Sequence, residues 1–168
     1  MARTGAYLYA AGASLALVWL ALPHPVASQD SMLVATVIVT YIASGLMWTW
    51  GARLTHRQWE LVVALGIVLI SGAILFSGRS TTPFVLFYLW SNLYAWYFFP
   101  RARALIQLGL TGLAYAVVLL LRDPIGTEVV TGGGVSGAFG AGAARWLITV
   151  GTMLVAGVLV ASLRERVE

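Results

Sequence analysis

The sequence predicts an all-α protein: a polytopic membrane helix bundle with six transmembrane helices and both termini in the cytoplasm. Three observations predict this fold class. The 168-residue chain is 60% hydrophobic and only 10% charged, whereas about a quarter of the residues of a soluble domain are charged. Its apolar residues form six runs near the length of about 20 residues that a bilayer-spanning helix needs. Its arginines stand at the ends of these runs.

The six apolar runs cover residues 6–22, 32–50, 61–77, 83–99, 104–121 and 146–163. In hydrocarbon the backbone polar groups must be satisfied inside the element, so the runs are predicted to be helices. The strict alternation of a membrane β-strand is absent. Pro23 and Pro25 end the first run, and Pro100 ends the fourth, the run richest in aromatic residues.

The orientation of the bundle follows from the arginines in its connections, because cytoplasmic loops carry an excess of basic residues. Seven arginines fall on the side of the termini: Arg3, Arg53, Arg57, Arg101, Arg103, Arg164 and Arg166. Three fall on the other side: Arg79, Arg122 and Arg145. This distribution places both termini in the cytoplasm and fits an even number of spans.

A second interpretation of the first run remains open. Arg3, the apolar run and the triplet Val26-Ala27-Ser28 also resemble a cleavable signal peptide. Cleavage after Ser28 would leave five helices with the same orientation. A first helix that agrees with the topology of the other five is the simpler interpretation.

We expect one membrane domain, residues 1–163, followed by the start of a cytoplasmic signalling helix, residues 164–168. The glycine-rich stretch 131–142 is predicted to be a flexible loop on the outer side. Within it, Gly132, Gly134 and Gly137 match the spacing of a dinucleotide-binding fingerprint. That fingerprint functions only between a strand and a helix, and no strand is predicted here.

The composition favours neither a metal site nor catalysis. The chain has no Cys and only two His, and the predicted topology places His24 and His56 on opposite sides of the membrane. No cluster of His, Asp and Glu suggests an enzyme, and no cofactor is expected. The arginines are scattered rather than gathered into a basic face, which disfavours nucleic acid as a partner.

The fourth run carries the candidate binding residues. Tyr88, Asn92 and Tyr94 lie away from its ends, where polar side chains usually bond a neighbouring helix. Their deeper position allows two interpretations: polar contacts between helices, or an aromatic-lined pocket for a small apolar or quinone-like ligand. The remaining pocket candidates are residues of the second and fifth runs that could face them: Tyr41, Gln107 and Tyr115.

The sixth run predicts a relay helix. Its apolar residues recur at alternating spacings of three and four, as in a coiled-coil seam: Met153, Ala156, Val160, Leu163 and Val167. The pattern crosses into the polar segment 164–168 without a helix-ending Gly or Pro. We therefore expect a helix that continues into the cytoplasm, with a homodimer formed through this seam.

The second half of the chain resembles a known family. The aromatic segment 88–120 and the final helix, ending WLITVGTMLVAGVLVASLRERVE, are similar to the N-terminal membrane region of bacterial GGDEF-type diguanylate cyclases, especially those of high-GC Gram-positive bacteria. The resemblance implies a sensory and anchoring role, with a cyclase domain following the last helix. It implies no catalytic residue in this chain, which lacks the Gly-Gly-(Asp/Glu)-Glu-Phe loop. Six-helix anchors of class III adenylyl cyclases look broadly alike.

Two functions are therefore expected from the sequence. The first is a sensory or anchoring module in the bacterial inner membrane that relays through its sixth helix to a cytoplasmic output. The alternative is a stand-alone small transporter or permease-like protein. No charged residue lies in the middle of a run, although transporters commonly keep one there, so the first function is favoured.

Overall fold

The computed structural model of the chain describes residues 2–22, 29–78, 82–122 and 135–167. Within these residues every regular element is helical: α1 (Ala2–Ala21), α2 (Asp30–Trp50), a 3₁₀ turn (Gly51–Arg53), α3 (His56–Phe76), α4 (Val85–Phe98), α5 (Arg101–Arg122) and α6 (Val135–Val167). The predicted all-α bundle of six helices is confirmed. In the described part of the chain, α1, α2, α3, α5 and α6 contain stretches long and apolar enough to cross a membrane.

Both ends of the described chain lie at the same end of the bundle. A Cβ atom built on Gly5, near the start of α1, would lie 2.7 Å from Met47 of α2 and 3.3 Å from the hydroxyl of Tyr94 near the end of α4. Near the end of α6, the guanidinium of Arg164 donates a 2.9 Å hydrogen bond to the carbonyl of Tyr97. Successive helices are therefore antiparallel, as their short connections require.

Helix α4 is shorter than the predicted span. Its 14 residues reach about 21 Å at 1.5 Å per residue, less than the roughly 30 Å of a hydrocarbon core. It ends at Phe98 because Phe99 is extended, with φ −106° and ψ 156°, the conformation that a following proline favours. Before the helix, residues Thr82–Phe84 form turns. In one of them the N–H of Leu86 donates a 3.0 Å hydrogen bond to the carbonyl of Pro83.

The glycine-rich stretch before the sixth span differs from its prediction. We expected residues 131–142 to be a flexible loop, but α6 already begins at Val135; residues 131–134 lie outside the described chain. Adding residues to an existing helix is far easier than nucleating one. The apolar span can therefore extend through this stretch, although each glycine costs the helix about 1 kcal/mol relative to alanine.

Polar contacts link neighbouring helices throughout the bundle. Ser44 of α2 donates to the carbonyl of Ala6 on α1 at 2.8 Å, and Trp146 of α6 donates to the carbonyl of Gly112 on α5 at 2.7 Å. Between α3 and α5, Arg103 pairs with Glu60. Such contacts position helices in a bilayer, where lipid is as apolar as the helix surfaces and hydrophobic burial cannot drive packing.

The orientation of the bundle can be tested because the chain has no cysteine. We expect Ala52→Cys and Ala102→Cys, both exposed at the end that carries the termini, to react with a membrane-impermeant maleimide only when the cytoplasmic side is accessible. Ser31→Cys, exposed at the opposite end, should react from outside in intact cells. Reaction of Ala52→Cys with the impermeant maleimide in intact cells would contradict the predicted orientation.

Candidate functional site

Helix α4 is the most enclosed element of the bundle. It contacts α1, α3, α5 and α6. Five of its buried side chains carry a polar group: Tyr88, Ser91, Asn92, Tyr94 and Trp96. Because so many polar and aromatic groups are removed from lipid here, α4 and its contacts form the candidate functional site.

Asn92 ties α4 to α6. Its side chain is 2% exposed, and its amide nitrogen donates a 2.8 Å hydrogen bond to the carbonyl of Met153. A carbonyl oxygen has two lone pairs, so this bond can form without removing the helical bond that Met153 accepts. We expected the partner of Asn92 on α2 or α5; the structure places it on α6.

One helical turn further along α4, the indole of Trp96 lies directly on Gly157 of α6. A Cβ atom added to Gly157 would overlap the indole ring, so only glycine permits this approach. Within the described residues, the indole nitrogen of Trp96 and the side-chain oxygen of Asn92 are buried without a hydrogen-bond partner. The α4–α6 contact therefore leaves one donor and one acceptor unsatisfied. Each such group lowers the stability of the folded state by about 1–3 kcal/mol.

Two of the predicted pocket residues meet on another side of α4. The hydroxyl groups of Tyr88 and Ser71 are 2.7 Å apart, joining α4 to α3. The ring of Tyr88 also packs edge-on against that of Tyr115, with centroids 5.9 Å apart. Both tyrosines are buried, so they contribute to helix packing at this position.

The other three pocket candidates lie elsewhere. Tyr94 packs against Phe98 with ring centroids 4.6 Å apart, near the end of the bundle that carries the termini. Tyr41 is 38% exposed, and its hydroxyl is 2.8 Å from that of Ser14. Gln107 donates to the backbone carbonyl of Glu60 at 3.1 Å. The structure therefore does not bring the six predicted residues into one pocket.

A cavity of about 70 Å³ is found instead where α1, α2, α3 and α4 meet. Its lining is mainly apolar: Leu8, Tyr9, Gly12, Ala13, Ala16, Leu33, Thr36, Val37, Thr40, Gly66, Leu69, Ile70, Ala73, Phe87, Trp90 and Ser91. None of the six predicted pocket residues lines it. The spacing of Phe87, Trp90 and Ser91 on α4 signals a common helical face, but sequence alone could not show that this face borders a void.

The predicted seam of α6 mostly faces its own bundle. Met153 is 2% exposed, Ala156 and Val160 are partly buried, and Leu163 is 61% exposed; the side chain of Val167 lies outside the described structure. The buried residues recur at every fourth position: Met153, Gly157 and Ala161. This Gly-x-x-x-Ala pattern is a known signature of close helix contacts and could have identified the α4-facing side.

No protein-family model, curated protein or solved structure matches this chain. Among the described residues, no three His, Asp or Glu side chains gather as a metal site would require. The candidate site is therefore described by the contacts that α4 makes. Helix α4 holds α6 on one side through hydrogen bonds, Asn92 to Met153 and Arg164 to Tyr97, and through the close approach of Trp96 to Gly157. On its other side α4 borders an apolar cavity.

The Gly157 contact generates a stability prediction. Gly157→Ala should lower the melting temperature of the detergent-solubilised protein, because overpacking a contact of this kind costs about 1–3 kcal/mol. Gly151→Ala is the matched control on the same helix, since a Cβ there meets nothing within 4 Å.

Trp96→Phe should partly restore the stability of Gly157→Ala, because the smaller ring can yield to the added methyl group. A thermal unfolding assay of the two single variants and the double variant measures this coupling. Equal melting temperatures for Gly157→Ala and Gly151→Ala would contradict the close approach of the two helices.

Proposed function

We propose that the protein is a membrane-embedded sensory or anchoring module of a bacterial signalling protein, located in the inner membrane. In this proposal α6 relays the state of the bundle to a cytoplasmic output of the nucleotide-cyclase, GGDEF-like kind. The observation that carries the proposal is the hydrogen bond from the buried Asn92 to the carbonyl of Met153. It connects the central helix to the helix that leads toward the cytoplasm.

The α4–α6 contact suits a relay because it selects one relative position of the two helices but, within the described structure, leaves two of their hydrogen-bonding groups without partners. The Asn92 bond fixes one relative position of the helices. The unmet groups of Asn92 and Trp96 lower the stability of this position relative to another that would give them partners. A ligand or mechanical input that prefers the second position needs only a modest difference in affinity to shift the population.

The geometry of α6 supports transmission. It is a single helix of 33 residues from Val135 to Val167, about 50 Å long at 1.5 Å per residue. Only a narrow face is buried: 17% of its candidate span, against 44% for that of α5. Because the helix is continuous, a displacement of α6 where Asn92 holds it would reach Arg164 near its end.

The proposal includes a homodimer formed through α6. The residues that could form it differ from the predicted seam, because part of that seam faces α4. In the single chain Met153 is enclosed, whereas Val155, Leu159 and Leu163 are 57–61% exposed and recur at every fourth position. This exposed face extends the predicted contact at Leu163. A second copy of α6 could pack there while α4 retains the opposite face.

The relay can be tested by attaching a dimerisation-dependent diguanylate cyclase domain after Glu168 and measuring cyclic di-GMP in cells. We expect Asn92→Leu to change the output while the protein still accumulates in the membrane, because leucine keeps the volume and removes the bond to Met153. Thr152→Ala is the matched control: its hydroxyl bonds only within α6, to the carbonyl of Ile148.

Melting temperatures of the same variants separate signalling from packing. If Asn92→Leu alters the melting temperature but leaves cyclic di-GMP unchanged, Asn92 serves only to hold the helices together and the relay proposal fails.

Oxidative cross-linking tests the dimer in the cysteine-free background. Leu163→Cys in native membranes should form a disulfide-linked dimer, since its side chain would approach its copy across the α6 pair. Ile106→Cys, 68% exposed on α5, is the control for random collision. Equal yields for the two variants would count against a dimer formed through α6.

A further inference from the structure

We propose that the cavity between α1, α2, α3 and α4 binds the end of an acyl chain of a membrane phospholipid. The inference deepens the proposed function by naming a ligand class for the same bundle, and it rests on that function only for its signalling consequence. The cavity, its depth and its lining carry the argument for binding.

The lining favours an apolar ligand because it is mainly apolar and three of its four hydroxyl groups, those of Tyr9, Thr36 and Thr40, are already engaged. The hydroxyl of Tyr9 donates to the carbonyl of Val62. Those of Thr36 and Thr40 donate along α2, to the carbonyls of Met32 at 2.9 Å and Thr36 at 2.7 Å. A group with strong hydrogen-bonding demands would displace these bonds, whereas methyl and methylene groups would not.

The volume limits the occupant to a chain end. A cavity of roughly 150 Å³ lined by aliphatic and aromatic side chains accommodates benzene, and this cavity measures about 70 Å³. It therefore holds only a few carbon atoms rather than a ring system. The space exists because the α1 residues at this position are small: Gly12, Ala13 and Ala16.

The depth of the cavity matches the position of acyl-chain ends. Gly12 lies near the middle of α1 (Ala2–Ala21) and Gly66 near the middle of α3 (His56–Phe76), and both line the cavity. The middle of a spanning helix lies at the bilayer midplane, where the ends of lipid chains meet. Trp90 also lines the cavity and is 38% exposed, so the cavity reaches the lipid-facing surface beside it.

The cavity and the α6 contact lie on opposite faces of the same helix. Trp96 is nine residues after Phe87, which is two and a half turns at 3.6 residues per turn, so the two side chains point in opposite directions. Phe87 and Ser91 border the cavity, while Asn92 and Trp96 hold α6. An acyl chain that displaces Phe87 would therefore press α4 toward α6.

Photo-cross-linking of the full chain in liposomes tests the binding. The probe is a phosphatidylcholine that carries a diazirine on the last carbon of one acyl chain, and adducts are located by mass spectrometry. We expect adducts on Phe87 and Trp90 in excess of those on Ile106, which is 68% exposed to lipid but far from the cavity in the fold.

A pair of glycine variants separates cavity binding from surface labelling. Gly12→Leu fills the cavity and should remove the excess labelling of Phe87. Gly45→Leu adds the same side chain at an exposed site of α2 where a Cβ meets nothing within 4 Å, and should leave the excess unchanged. Gly12→Ala places a Cβ 4.0 Å from Phe87 and should reduce the excess labelling of Phe87 partly. It replaces Gly12→Leu in the experiment if that variant does not fold.

The outcomes distinguish this inference from the proposed function. Labelling of Phe87 equal to that of Ile106, or unaffected by both Gly12 variants, overturns the acyl-chain site. Excess labelling by a free fatty acid bearing the same diazirine, but not by the phospholipid, also overturns it. Cross-linking requires no output domain, so binding can be established even if the relay measured by cyclic di-GMP fails.

Discussion

The enclosure of α4 by its neighbours is the constraint on which the rest of this structure depends. A helix of 14 residues is too short to span a typical hydrocarbon core by itself. It is stable in this position because α1, α3, α5 and α6 surround it. Its polar side chains, which would be costly against lipid, then become the means of fixing those neighbours.

The polar contacts of α4 with its neighbours involve different pairs of donor and acceptor groups. Asn92 bonds a helix backbone carbonyl, Tyr88 shares a hydroxyl pair with Ser71, and the carbonyl of Tyr97 receives the guanidinium of Arg164. Interhelical hydrogen bonds in membranes contribute only about 0.6 kcal/mol on average. Their value in this bundle is therefore the relative position that they select rather than a large stabilisation.

The distribution of space around α4 is uneven. On the α6 side the contact is so close that Gly157 cannot be replaced without displacing Trp96. On the α1–α2 side a cavity remains beside Phe87. A helix that is tightly packed on one face and borders a cavity on the other has room to move toward the cavity and little room to move toward α6.

The sequence by itself determined the fold class, the number of helices and their alternation. These properties depend on apolar length and on prolines and arginines at fixed places, such as Pro100 and Arg101, and they are local. Sequence also indicated that Asn92 bonds another helix, because an amide inside an apolar run needs a partner. It could not say which helix, since Tyr41, Gln107 and Met153 all satisfy the same chemical requirement.

Only the tertiary structure decided which residues meet. The rotation of α6 placed Met153 and Gly157 against α4 and left Leu163 exposed, a choice that the apolar periodicity of α6 does not fix because its other faces are also apolar. For the same reason the six predicted pocket residues do not share one pocket, although Tyr88 and Tyr115 pack against each other. The cavity arises from the small side chains of α1 opposite the aromatic face of α4, and a void between helices has no signature in any one of them.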